Sequence, residues 1–100
     1  MTALLLLAVV AAAPEQLLGT WQPLDGEEPE KRLVTYRKDG TGTASGFAFR
    51  WKLEGKDRLT VTYDDGSVLL ARIAFERGVL VETDLVDTDV RRFRRVKAGR

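Results

Sequence analysis

Neither cysteine nor histidine occurs in the 100 residues. The first absence excludes disulfides, thiolate metal sites and a lipid-anchor cysteine. The second removes the commonest general base and the commonest zinc ligand. Together they exclude any Ser–His or Cys–His nucleophilic pair. An excess of one charge is also lacking: 16 Lys and Arg stand against 15 Asp and Glu, a net charge of +1 that sets up no long-range field. Beyond residue 16 no segment repeats its apolar residues at helical spacing. Gly40-Thr41-Gly42 is therefore no phosphate loop, because no helix follows to present its N-terminus. Nor is there the dedicated run of oxygen ligands that calcium needs. The sequence thus points to no enzyme, no metal and no cofactor.

What is present suits one globular domain. The chain is 44% hydrophobic and 31% charged, too apolar for disorder and too charged for a membrane-embedded whole. Its first feature is an unbroken apolar run from Ala3 to Ala13. At 11 residues it is shorter than the roughly 20 needed to span a bilayer. It fits the apolar core of a secretory signal, with Val10-Ala11-Ala12 as the cleavage site. Residues 1–13 are expected to be a signal peptide and 14–100 the mature domain, exported to the periplasm or secreted.

The rest of the chain has period two. In Phe47-Ala48-Phe49-Arg50-Trp51-Lys52-Leu53 the large apolar residues share one face, while Arg50 and Lys52 take the other. Leu59, Val61 and Tyr63 repeat the device against Thr60 and Thr62, as do Val34 with Tyr36 and Leu69 with Ala71, Ile73 and Phe75. Turn signals punctuate these runs at Asp25-Gly26, Asp39-Gly40, Gly55, Asp65-Gly66, Arg77-Gly78 and Asp87-Thr88-Asp89. Strands are predicted at 17–23, 31–37, 41–53 with a break near Gly46, 58–64, 67–76, 79–85 and 90–97. Consecutive strands with short turns pair in order. The predicted fold is all-β, an antiparallel up-and-down meander of seven to eight strands closed, or nearly closed, into a small barrel. A barrel this narrow is filled by its own side chains or holds one small ligand. Its interior is expected to hold Trp21, Tyr36, Phe47, Phe49, Trp51, Tyr63, Phe75 and Phe93.

The opening Leu18-Gly19-Thr20-Trp21 and the later Tyr36-Arg37-Lys38-Asp39-Gly40-Thr41 resemble the first two motifs of small exported bacterial lipocalin-like domains. The resemblance covers residues 17–97. It implies a first strand that sets Trp21 at the closed end of the barrel. It implies a last strand whose arginine, Arg91 or Arg95, covers that tryptophan. It also implies a small apolar ligand held among the interior aromatics.

Two stretches invite other chemistry. Arg91-Arg92-Phe93-Arg94-Arg95 reads as a nucleic-acid-binding strand only if the apolar leader is not a signal. Otherwise it is one arm of a hairpin turning at 87–89, which sets Glu82 opposite Arg94 and Asp84 opposite Arg92 on the outer face. The carboxylates Asp39, Asp57, Asp64 and Asp65 sit where turns are expected, and Asp is favoured there for its local backbone bonds. The leading expectation is an exported non-enzymatic barrel that binds a small apolar molecule. The alternative is a protein–protein module or inhibitor of the cell envelope. No nucleic acid and no stable membrane span of the mature form are expected.

Overall fold

The structure, a computed structural model, describes residues 14–97. The expected signal segment lies outside the described residues. A single helical turn, α1 (Pro14–Leu17), leads into eight strands: β1 (Gly19–Pro23), β2 (Val34–Tyr36), β3 (Thr41–Ala44), β4 (Phe47–Glu54), β5 (Arg58–Tyr63), β6 (Val68–Glu76), β7 (Val79–Asp84) and β8 (Val90–Arg95). All pair antiparallel with their sequence neighbours, and β8 pairs with β1, Trp21 opposite Arg95, to close the barrel. Closure leaves no sheet edge unpaired, which is how a small all-β chain avoids edge-to-edge association.

Three segments depart from expectation. Leu17, expected to open the first strand, belongs to the helical turn α1. The run 41–53 is two strands, because Ser45 and Gly46 both take positive φ and reverse the chain. Residues 31–33 do not extend β2, because the 3-10 turn Pro29–Lys31 occupies that part of the long loop.

The hairpins give the barrel two unlike ends. At one end α1 and the turns at 37–40, 55–57 and 77–78 gather; at the other lie the loops 24–33, 45–46, 64–67 and 85–89. The core is packed from the first end. Leu17, Trp21, Leu59, Val61, Ile73 and Leu80 are all but fully buried, each aliphatic side chain contributing about 1.5–3 kcal/mol of burial energy. Leu17 belongs to α1, so that turn acts as a plug.

Glycine is required at two points of this frame. Gly19 has φ +116°, and a Cβ there would meet the Arg95 guanidinium at 2.8 Å. Gly42, between Tyr36 and Phe49 on the neighbouring strands, lies under the Phe49 ring, and a Cβ would collide with that ring and with the Thr35 carbonyl.

Candidate functional site at the open end of the barrel

The plugged end is built around Trp21. Its indole Nε1 donates to the Leu17 carbonyl at 2.9 Å, and its ring lies 6.0 Å from that of Phe75. The Arg95 guanidinium stacks over it at 4.4 Å from the ring centroid. The same guanidinium donates to the carbonyls of Leu18 and Gln16, sewing the last strand to the chain entry across more than 70 residues. Of the two arginines named from the sequence, Arg95 takes this place and Arg91 does not.

Arg91 lies towards the other end, near the start of β8, and the β7–β8 hairpin there has a different register from the one expected. Glu82 pairs with Arg91, Val81 with Arg92 and Leu80 with Phe93. The expected pairs, Glu82 with Arg94 and Asp84 with Arg92, do not form. The cause is Asp84, whose carboxylate accepts from the Val86 and Asp87 amides while its backbone N–H donates to the Asp89 carbonyl. The turn therefore begins at Asp84, earlier than expected. The slip is odd in number, so it exchanges the two faces. Glu82 turns into the barrel, where it is 4% exposed.

A cavity of about 170 Å³ opens at this end, and Glu82 and Arg91 line it with Tyr36, Phe49, Tyr63 and Phe93. Cavities of about 150 Å³ accept a benzene-sized molecule. Four of the lining residues are aromatic. Tyr36 sits 5.5 Å from Phe49, Phe49 sits 5.7 Å from Tyr63, and Trp51 braces Tyr36 edge-on from below at 5.8 Å. Trp51 is fixed in turn by its Nε1, which donates to the Arg37 and Thr41 carbonyls at 3.0 and 3.1 Å.

Glu82 is the charged group of this cavity. Its nearest cation is Arg91, Nη1 to Oε1 at 3.7 Å, too long for a hydrogen bond. Burial pushes the Glu82 carboxyl above its ordinary value, and the Arg91 charge opposes that only in part. Burial likewise raises the Tyr36 hydroxyl well above the usual range, with the Glu82 charge adding to it, and raises Tyr63 for the same two reasons.

The structure brings seven of the eight expected interior aromatics together. Trp21, Tyr36, Phe49 and Phe93 are buried, and Trp51, Tyr63 and Phe75 are partly buried against them. Phe47 is the exception. It has the inward parity, but it is the first residue of β4, at the rim, and is 70% exposed. The turn carboxylates do local work: Asp39 accepts from the Thr41 amide and hydroxyl, Asp65 does the same for Ser67, and Asp57 pairs with Arg72 at 3.3 Å. Among the described residues no cluster of carboxylates could hold a metal ion. The expected pairing with Arg94 set Glu82 on the outer face; Leu80 and Val81 are adjacent and both apolar, so alternation alone does not fix the facing of β7.

No protein-family model matches the chain, and no curated protein or solved structure matches it.

Proposed function

We propose that the chain is an exported, non-enzymatic lipocalin-like barrel that binds one small, largely apolar molecule in the cavity at its open end. The observation that carries the reading is the asymmetry of the barrel. One end is filled by Leu17, Trp21 and the Arg95 cover, while the other keeps an aromatic cavity of about 170 Å³. Concave, mostly apolar sites with a few converging polar groups are where small ligands bind. The apolar leader supports export. The Gly19-Thr20-Trp21 opening with its arginine cover supports the lipocalin-like reading.

Toluene is a suitable probe. Titrating it into the protein should move the NMR signals of Phe49, Tyr63 and Phe93 saturably. Ala44→Phe, which adds a ring at a lining position, should abolish the shifts. Unmoved ring signals in the wild-type protein would refute the reading. Export is tested separately, by fractionating cells that express the full chain.

One observation favours a second reading, a protein-binding module. Every exposed large hydrophobic among the described residues, Leu24, Phe47, Val68, Leu70, Leu85, Val86 and Val90, lies in an open-end loop or on the strand segment next to one. A rim of this kind suits a protein contact. On that reading Phe47→Ser and Val86→Ser weaken partner binding and leave toluene binding unchanged.

A further inference from the structure

We propose that the molecule bound at the open end carries a cationic amine, and that Glu82 with the surrounding rings of Tyr36, Phe49, Tyr63 and Phe93 is its recognition site. The inference rests on the proposed function and names the ligand class for it.

Three independent observations converge on a cation. First, the Glu82 side chain is 6% exposed and lines the cavity, yet its one charged partner, Arg91, stands beyond hydrogen-bond distance and is itself half exposed at 49%. The 3.7 Å contact to Arg91 leaves the carboxylate room for a closer donor. An ammonium group supplies the short charge-assisted hydrogen bonds that Arg91 does not. Second, four aromatic residues line the cavity together with the carboxylate. Aromatic faces attract a cation within about 6 Å of their centroids, more so when it is desolvated. Third, the mouth is acidic although the molecule is not. The loops 24–33, 64–67 and 85–89 hold eight carboxylates and two cations, whereas the turns 37–40, 55–57 and 77–78 of the plugged end hold two carboxylates and four cations. A cleft ringed by one sign of charge raises the local concentration of the opposite ion. Arg32, one of the two cations, also lines the cavity, but its guanidinium is engaged by the Asp25 and Glu27 carbonyls.

The test compares benzylamine, benzyl alcohol and toluene by NMR titration of the wild-type protein and of Glu82→Gln. Benzylamine is expected to bind about tenfold or more tightly than benzyl alcohol, as a charge-assisted hydrogen bond exceeds a neutral one. Glu82→Gln keeps the shape and removes the charge, so it should erase that preference. Equal binding of the amine and the alcohol by the wild type would overturn the amine assignment and leave the small-ligand reading standing. A preference that survives in Glu82→Gln would also overturn it. If none of the three molecules binds, both fall. The wild-type comparison decides the matter even if the variant does not fold.

Discussion

Replacing Arg95 by Met tests the closure of the barrel most directly. Met keeps the apolar stem but removes the guanidinium. Three interactions go with it: hydrogen bonds to the Leu18 and Gln16 carbonyls and the stacking over Trp21. Each hydrogen bond contributes a net of about 0.5–1.5 kcal/mol, and an exposed cation–π contact about 0.5–1 kcal/mol. Arg95 is exposed, so the lower part of each range applies, and the loss should be about 2 kcal/mol. For a domain of this size that lowers Tm by roughly 10 °C. A double-mutant cycle separates the stacking from the rest. Combining Arg95→Met with Trp21→Leu should show a coupling of about 0.5–1 kcal/mol in urea unfolding, because the second change removes the ring that the guanidinium covers. The control is Arg91→Met with Trp21→Leu. Arg91 pairs with Glu82 at the opposite end, so these two changes should add to within about 0.5 kcal/mol. Additivity in the Arg95 cycle, or equal coupling in both, would refute the closing role of Arg95.

Three further outcomes are expected. Trp51→Ala should lower the denaturation midpoint far more than Arg50→Ala, by about 3 kcal/mol against about 0.5 kcal/mol, because Trp51 packs on Tyr36 and bonds two carbonyls while Arg50 is exposed; equal midpoints would mean that β4 has no buried face. A chain begun at Glu15 should unfold cooperatively with a β-type circular dichroism spectrum, since the described core starts at Leu17; an aggregated product would place residues of the leader in that core. The third outcome concerns Glu82, whose folded carboxyl titrates above its unfolded value because of burial. Its neutral form is therefore favoured by folding, and that contribution is present below the unfolded value of about 4.3 and lost as pH rises through the folded one. Glu82→Gln, always neutral, should be more stable than the wild type at pH 7, with the advantage shrinking towards pH 4; a variant destabilised equally at both values would contradict the assignment.

Most of the strands were legible in the sequence; the helical plug at Leu17 was not, and the open end was only half legible. Phe49-Arg50-Trp51-Lys52-Leu53 alternates without ambiguity, so its facing could be read directly, and Tyr63, Ile73 and Phe75 followed the same rule. Asp-Gly turns fixed where the hairpins at 37–40 and 64–67 reverse, because glycine accepts the φ of +88° and +93° found there. Phe47 shows the limit of parity: period two tells which way a residue points, not how far the wall extends above it. The hairpin at 85–89 failed for a different reason. It contains no glycine, its five residues carry two competing carboxylates, and the turn was decided by Asp84, which alternation assigned to the strand alone. Arg91 and Arg95 were equivalent by parity; only the register of β8 against β7 and β1 separates them, and that depends on pairings across the whole chain.

That misread register matters most for function, because it determines whether the barrel interior carries a charge. Had Glu82 faced outward, the cavity would be a small apolar gap of the sort that imperfect packing leaves. Facing inward, Glu82 has a stability cost that a leucine would not have. Buried ion pairs seldom repay their desolvation even with good geometry, and this pair, at 3.7 Å, lacks good geometry. Stability therefore gives no reason for a carboxylate at this position. The same strand meets the stability requirement elsewhere: Leu80, two residues away and facing the same way, is 1% exposed and packs in the core. A side chain that weakens the fold, at an unfilled part of the interior and under loops of matching charge, fits the proposed amine site.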